Sequence, residues 1–290
     1  MQEAYRQFLR AGEQAGMRYV LDIPREAMRG ATGVQTGHGA GSSLDFKDYR
    51  EYQPGDDLRR IDWSAFGRSD RLIIKLFREE VTPHVDILLD GSRSMALPES
   101  RKSEAALGLS ALFVSAASNA RCSHRAWIGG EGFREVANGS REPSLWGAID
   151  FDATQTPAEA YYRMSPRMKR YGIRILISDL MWEDEPMNLL RPLCDGAAAV
   201  FVVQLLALPD REITEHGNAR LEDIESDGAL DVFLDPIAQR RYGEALSRHQ
   251  QQWRRACRRA GAAMVTLNAE DLLDGWQPEA LQRGRFLVAA

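Results

Sequence analysis

The sequence predicts an α/β protein in which helices cover a mainly parallel sheet. Four apolar runs of strand length lie at residues 85–89, 173–178, 197–206 and 263–267. Helical spacing of apolar residues separates these runs, most clearly over residues 103–119 and 236–261. Because buried strands that alternate with helices form βαβ units, the two observations indicate a parallel sheet covered on both faces.

The chain divides into three predicted segments. Residues 1–43 combine an N-terminal helix with a Gly/Ser-rich stretch at 33–43, which is typical of a loop or linker. Residues 44–82 are dense in charge and include the turn signal Gln-Pro-Gly-Asp. Residues 83–290 carry the regular strand and helix pattern, so the first segment is expected to be an N-terminal extension of an α/β domain.

Two further local signals lie within the α/β segment. Thr156 can cap a helix over residues 157–170, and Glu159 completes a capping box three residues later. The turn signal at residues 226–228 predicts a hairpin. Its strands are expected at residues 219–225 and 229–234.

Composition excludes several classes of protein. The 290 residues are 44% hydrophobic and 27% charged, as in soluble globular proteins. The net charge of −5 gives no reason to expect nucleic acid or an anionic membrane as a partner. There is no membrane-length apolar stretch, no signal-peptide pattern and no paired cysteine spacing. We therefore expect a cytoplasmic protein without a membrane span.

Polar side chains follow two of the predicted strands, which end in Asp90 and Asp179. Ser92 and Ser94 follow Asp90 at alternate positions, a spacing that lets a tight loop turn one carboxylate and two hydroxyls toward one point. Ligands of open α/β sheets bind outside the carboxyl ends of the strands. An oxygen-only set suits a hard cation such as Mg²⁺, or Mn²⁺. We predict a metal site formed by Asp90, Ser92, Ser94 and Asp179, with Thr156, or else Thr154, adding a hydroxyl.

A purely structural interpretation of the same residues stays open. Ser and Asp also occur in loops because they make turns and cap helices. In that case Asp90 and Asp179 would cap helices without any metal, and the capping role of Thr156 would suffice to explain it.

Two stretches resemble a known family. Asp90-x-Ser92-x-Ser94, a threonine before a helix and an aspartate that ends a later strand resemble the metal-ion-dependent adhesion site of von Willebrand factor A domains. Residues 46–63, FKDYREYQPGDDLRRIDW, resemble the signature of the bacterial MoxR-associated, von Willebrand factor A-like family long filed as a domain of unknown function. The resemblance extends over roughly residues 30–270.

The resemblance implies a Rossmann-like von Willebrand factor A domain with a divalent cation at the top of its sheet. In that family the metal is a docking point, and the usual companion is a MoxR-type AAA+ ATPase with a chaperone-like role. The implied mechanism is recognition: an acidic residue of a protein client binds at the metal, and no bond is made or broken. The chain departs from the family at Leu180, where many members have glycine, and at residues 153–156, where Gly-Gly-Thr is common.

The signature segment has two possible roles. Its charged residues can form an ion-pair cluster around the tryptophan, either as a clasp for the N-terminal extension or as a contact surface for the ATPase. The candidate partner-binding residues are Asp56, Asp57, Arg59, Arg60, Asp62 and Trp63.

The alternative function is a Mg²⁺-dependent phosphohydrolase on a similar sheet. A haloacid dehalogenase-type phosphatase requires a second aspartate where Ser92 stands, and a hydroxyl cannot act as the general acid at neutral pH. A serine hydrolase requires a Gly-x-Ser-x-Gly elbow, which is absent around Ser92. We therefore expect a non-enzymatic protein.

Overall fold

The computed structural model of the chain describes residues 2–23, 45–78, 82–97, 99–225, 228–276 and 278–290. The chain forms two compact units: Met1–Ala27 with Pro83–Ala290, and Met28–Thr82. The predicted Gly/Ser-rich stretch at 33–43 lies outside the described residues, as do Ser226 and Asp227 of the predicted hairpin turn. No helix within the described ranges has the length and apolar composition that crossing a bilayer requires.

The regular elements are numbered here in chain order. The helices are α1 (Gln2–Gly16), α2 (Trp63–Ser69), α3 (Lys102–Asn119), α4 (Pro157–Arg163), α5 (Pro186–Cys194), α6 (Leu208–Arg211), α7 (Pro236–Ala260), α8 (Ala269–Gly275) and α9 (Glu279–Arg283). The strands are β1 (Tyr19–Leu21), β2 (Asp45–Glu51), β3 (Ile73–Arg78), β4 (His84–Leu89), β5 (Ser123–Ile128), β6 (Arg134–Glu135), β7 (Ile173–Ser178), β8 (Ala199–Leu206), β9 (Gly217–Glu222), β10 (Ala229–Leu234), β11 (Ala263–Asn268) and β12 (Leu287–Ala289).

The larger unit is built on a six-stranded sheet with the order β11-β8-β7-β4-β5-β6. All neighbours are parallel except the short edge strand β6, which is antiparallel to β5. When these six strands are renumbered 1 to 6 in chain order, their spatial order across the sheet is 3-2-1-4-5-6, which is a doubly wound order. The predicted α/β class with a mainly parallel sheet is confirmed, and the strand order reverses between β4 and β7.

Both faces of the central strands are buried. Along β4, Val85, Ile87 and Leu89 face one apolar cluster with α3, whereas Leu88 faces a second cluster with α5 and α7. The alternation follows from the two-residue period of a strand. A strand buried on both faces has apolar residues at most successive positions, which explains the largely apolar runs in the sequence.

Most predicted helices form, but one ends earlier than expected. Helix α4 begins at the predicted capping box, in which Thr156 Oγ1 accepts from the Glu159 backbone N–H and Glu159 accepts from the Thr156 N–H. It ends at Arg163, so the predicted extension to residue 170 is wrong. Pro166 explains the early end, since proline disfavours helical backbone in the residue before it.

Helix α1 packs against α3 within the larger unit. A Cβ on Gly12 would collide with the backbone carbonyl of Gly108, so glycine permits the close approach of the two helices. The Asn119 side chain donates to the Tyr19 carbonyl at 2.7 Å, and β1 pairs with β12 in antiparallel register. The first 21 residues are therefore tied to both α3 and the last strand.

Candidate metal and docking site

Asp90 lies directly after β4 and is 1% exposed. Two donors hold its carboxylate: the backbone N–H of Ser92 reaches Oδ1 at 2.9 Å, and the Ser178 hydroxyl reaches Oδ2 at 2.6 Å. Ser178 is the last residue of β7. The side chain of Asp90 is thus fixed between the two strands at which the strand order reverses, the place where doubly wound sheets bind ligands.

The loop after Asp90 turns the two predicted serines toward each other. Their hydroxyl oxygens lie 2.9 Å apart, with Ser92 buried and Ser94 partly exposed. Met95 anchors the following turn, Arg93–Ala96, in the core. Gly91 allows this path, because a Cβ there would collide with the Gly129 carbonyl oxygen. The structure therefore brings the predicted carboxylate and both hydroxyls together.

Asp179 follows β7 and is also 1% exposed. Its Oδ1 accepts from the Met181 N–H at 3.1 Å, and its Oδ2 accepts from Lys102 Nζ at 2.7 Å. Leu180, which follows it, adopts a left-handed φ of 57°. Its buried side chain packs with the apolar cluster beneath α5 and α7, which offsets the cost of that backbone conformation.

Asp179 is close enough to Asp90 to affect the ionisation of Asp90. Burial, followed by the negative charge of Asp179, raises the pKa of Asp90 well above its ordinary value, although hydrogen bonds from Ser178 and Ser92 oppose the shift. Burial alone would lower the pKa of Lys102, but the charges of Asp179 and Asp210 outweigh it and raise that pKa. The edge of the sheet thus concentrates negative charge around one buried ammonium group.

The threonine loop runs beside the Asp90 loop. The Ala153 carbonyl accepts from the Arg93 N–H at 2.9 Å, and the Ala153 N–H donates to the Gly91 carbonyl at 3.0 Å. Thr154 is exposed. The Thr156 hydroxyl accepts from Glu159 in the helix cap and donates to Asp184 at 3.4 Å. The threonine loop thus lies beside the Asp90 loop, while a role of Thr156 or Thr154 as metal ligand stays a prediction.

The donor set fits a hard cation. Hydroxyl and carboxylate oxygens converge, and such oxygen-only sets are the ligands that hard cations prefer. Among the described residues, no group of three or more His, Cys, Asp or Glu is arranged as a metal centre. A cation at this edge would therefore depend on the hydroxyls of Ser92 and Ser94 as much as on the two aspartates.

The smaller unit contains the signature segment. A hairpin of β2 and β3 frames it, with Glu51 opposite Ile73. Two ion pairs form within it: Arg50 binds Asp56 with two contacts of 2.6 and 2.8 Å, and Arg59 binds Asp57 at 3.0 Å.

Helix α2 of the same unit involves the last two candidate residues of the signature. Asp62 caps the helix by accepting from the Ser64 and Ala65 N–H groups. Trp63 is 63% exposed and meets Phe66 edge-on. The side chain of Arg60 lies outside what the structure describes.

A family model covers most of this architecture. The model described as a protein of unknown function, DUF58, matches residues 48–252, more than half of the 290 residues. The chain belongs to the DUF58 family. The match spans both the signature segment and the Asp90 site, and it confirms the coarser part of the resemblance, membership of a family filed under unknown function.

Two mycobacterial proteins and several solved structures are similar to the chain. Uncharacterised proteins of Mycobacterium bovis and Mycobacterium tuberculosis are 25% identical over 236 residues, which cover 76% of this chain and 73% of theirs. An aerotolerance-related membrane protein from Bacteroides fragilis matches 69% of this chain and 99% of its own, with 14% identity and a TM-score of 0.36. A von Willebrand factor type A protein from Catenulispora acidiphila matches 74% of this chain and 43% of its own, with 14% identity and a TM-score of 0.35.

Sequence reasoning missed several members of this DUF58 site. Lys102 was assigned no role, and Ser178 was seen only as the end of a strand. Glu225 was placed at the end of a predicted strand, and burial, followed by the negative charge of Asp179, raises the pKa of its carboxyl. Ser178 and Glu225 are far from Asp90 in sequence, and no local pattern predicts that Lys102 pairs with Asp179.

Proposed function

We propose that this DUF58 protein is a non-enzymatic docking module that uses a divalent cation to recognise an acidic side chain of a partner protein. The observation that carries the proposal is the convergence of Asp90, Ser92 and Asp179 at the point where the strand order reverses. Such convergence supports binding, because the carboxylates and hydroxyls are buried and held in place before any ligand arrives.

The relationship to von Willebrand factor A domains is part of the proposal. The doubly wound strand order, the antiparallel edge strand and the Asp-x-Ser-x-Ser loop at the end of the first strand of the sheet all support it. The same relationship leads us to propose a MoxR-type AAA+ ATPase as the partner. It also leads us to propose that an acidic residue of a client protein binds at the metal.

Each residue of the site has a distinct part in the proposed binding. Ser92 and Ser94, with Thr156 or Thr154, would hold Mg²⁺ or Mn²⁺ through their hydroxyls, and Asp90 and Asp179 would supply the negative charge around it. The cation, when bound, supplies the positive charge that an incoming carboxylate needs. Ser178 and the Ser92 N–H orient Asp90, so its oxygens are available without rearrangement.

Calorimetric titration of the chelator-treated protein with Mn²⁺ and Mg²⁺ tests the metal. We expect one-site binding in the wild type and in Asp152→Asn, which removes an exposed carboxylate of the neighbouring threonine loop. Asp90→Asn should lose binding while keeping a native circular dichroism spectrum. Equal binding by Asp90→Asn and the wild type would contradict the proposal.

Capture of a purified MoxR-type ATPase tests the docking role. Immobilised wild type should retain the ATPase with Mg²⁺ and release it with chelator, whereas Asp90→Asn should retain none. Metal-dependent turnover of a generic phosphoester, lost in Asp90→Asn, would instead support the phosphohydrolase.

A further inference from the structure

Helix α7 carries a basic face that the proposed function does not use. Seven of the 37 lysines and arginines of the chain lie on this helix, together with only one of the 42 acidic residues, Glu244. At 3.6 residues per turn, the seven arginines fall within an arc of roughly 140°. All are exposed, and they form what we call the α7 basic face: Arg240, Arg241, Arg248, Arg254, Arg255, Arg258 and Arg259.

The α7 basic face has few partners of its own. Within the part of the chain that the structure describes, its only ion pair joins Arg248 to Glu244 at 4.0 Å. Its only side-chain hydrogen bond there runs from Arg254 to the Thr266 hydroxyl at 3.5 Å. Most of the positive charge on this face is therefore available to a molecule outside the chain.

The last two turns of α7 place like charges next to each other. Residues four apart are neighbours on a helix surface, so Arg254 lies beside Arg258 and Arg255 lies beside Arg259. Such like-charged pairs destabilise a helix. The helix dipole favours cations in the last turn, which accounts for Arg258 and Arg259 but for none of the five other arginines. A negatively charged partner would relieve the repulsion.

The surroundings of the α7 basic face decide which partner fits. Trp253, Ala256 and Cys257 are buried in the core, so the helix has no apolar side left to insert into a bilayer. The chain outside α7 is more acidic than the net charge of −5 indicates, because this helix holds so much of the positive charge. The rest of the chain would repel the extended negative charge of a membrane or a nucleic acid, whereas a short acidic segment can bind the helix alone.

We propose that the α7 basic face binds an acidic segment of a partner protein through arginine–carboxylate pairs. The planar guanidinium group offers two N–H donors that match the two oxygens of a carboxylate, so arginine suits aspartate and glutamate better than lysine does. This surface goes beyond the proposed metal-dependent docking, because the arginines are themselves the cations and binding requires no metal.

Fluorescence anisotropy with a labelled glutamate-rich peptide tests this inference in a buffer that contains chelator. The wild type should bind the peptide, and the affinity should fall as salt is added, because exposed charges are screened. A variant with four substitutions at the C-terminal end of α7 should lose at least about tenfold in affinity while keeping a native circular dichroism spectrum. It carries Arg254→Gln, Arg255→Gln, Arg258→Gln and Arg259→Gln.

A second fourfold variant controls for the loss of overall charge. It replaces four exposed arginines outside α7 and should keep the affinity of the wild type, because it leaves the α7 basic face intact. It carries Arg10→Gln, Arg121→Gln, Arg283→Gln and Arg285→Gln. Equal losses of affinity in the two variants would overturn the inference, and so would a wild type that does not bind the peptide.

Two further probes test the class of partner. Duplex DNA of random sequence and vesicles that contain phosphatidylserine should bind more weakly than the peptide. Equal or tighter binding of either one through the α7 arginines would overturn the choice of an acidic protein segment. Asp90→Asn should bind the peptide as the wild type does, because Asp90 belongs to the predicted metal site. A wild type that binds the peptide but not Mn²⁺ would thus contradict the proposed function and support this inference.

Discussion

The ammonium nitrogen of Lys102 lies 2.7 Å from a carboxylate oxygen of Asp179 and about 3 Å from both oxygens of Asp210. Lys102 is 1% exposed and comes from the first turn of α3. The chain therefore carries its own cation next to a predicted metal ligand. This arrangement neutralises part of the acidic site, and Lys102 would compete for Asp179 with a metal ion bound there.

Lys102→Met should separate these two effects. The substitution leaves Asp179 and Asp210 without their buried cation, so the unfolding free energy should fall by about 3–5 kcal/mol in chelator. Mn²⁺ affinity should rise by roughly tenfold, equivalent to about 1.4 kcal/mol, because the competing charge is gone. Urea denaturation with and without Mn²⁺, together with calorimetry, measures both.

Lys169→Met is the matched control for this substitution, since the Lys169 side chain is exposed. It should change neither stability nor Mn²⁺ affinity appreciably. An unchanged Mn²⁺ affinity in Lys102→Met would show that Lys102 does not compete with the metal.

Gly91→Ala should lower the stability of the protein, whereas Gly243→Ala should raise it. A Cβ at Gly91 would collide with the Gly129 carbonyl oxygen, so the loop that carries Ser92 must move. We expect a loss of about 1–3 kcal/mol of stability and of Mn²⁺ binding. Gly243 lies in α7 with nothing near its Cβ position, and alanine there should stabilise by about 0.5–1 kcal/mol. Thermal unfolding of both variants measures the difference, and a neutral Gly91→Ala would contradict the tight packing of this loop.

The local parts of this fold and site could be predicted from sequence. Mostly apolar runs predicted β4 and β7 because strands buried on both faces have no side facing solvent, although each run includes one buried charged residue, Asp86 or Arg174. The alternation from Asp90 to Ser94 predicted the convergence of three side chains because their spacing is local. The prediction for α4 extended beyond its end at Arg163 because it followed helical propensity and left out the effect of Pro166 on the residue before it.

The remaining parts of the site depend on contacts between distant segments. Lys102 follows the Asp90 loop closely, yet it pairs with Asp179, 77 residues later, and with Asp210, 108 residues later. A lysine in the first turn of a helix has no sequence feature that indicates burial, because lysine is ordinarily exposed.

Trp63→Ala tests the signature segment as a contact surface. The side chain is largely exposed, so its removal should change the unfolding free energy by about 0.5 kcal/mol or less. Capture of the MoxR-type ATPase should nevertheless fall at least tenfold, since exposed tryptophans contribute strongly to binding when they are covered. Unchanged capture would favour the structural clasp.

Asp62→Ala should affect stability, whereas Trp63→Ala should affect binding. Asp62 caps α2 through two backbone N–H groups, so its loss should cost about 1 kcal/mol. Measured by urea denaturation, this cost should appear without the loss of capture expected for Trp63→Ala. If Asp62→Ala is neutral to stability, the cap contributes nothing to the unit.

The buried thiols should resist modification and make stability fall at alkaline pH. Burial raises the pKa of Cys122 to about 11 and that of Cys257 to about 12, so both stay protonated near pH 8, where the thiolate is the reactive form. An aromatic disulfide reagent should therefore label Cys194, which is only partly buried, well before the other two.

The raised pKa values of Cys122 and Cys257 determine how the unfolding free energy changes with pH. Above the ordinary thiol pKa the unfolded chain releases protons that the folded chain retains. The stabilisation from each thiol is therefore complete below about pH 9 and is lost as pH rises toward the folded value. Urea denaturation at several pH values above 9 should show a smaller decline in Cys257→Ala than in the wild type, by up to about 1.4 kcal/mol per pH unit for one proton. Equal slopes in the two proteins would mean that Cys257 ionises in the folded state as it does in the unfolded chain.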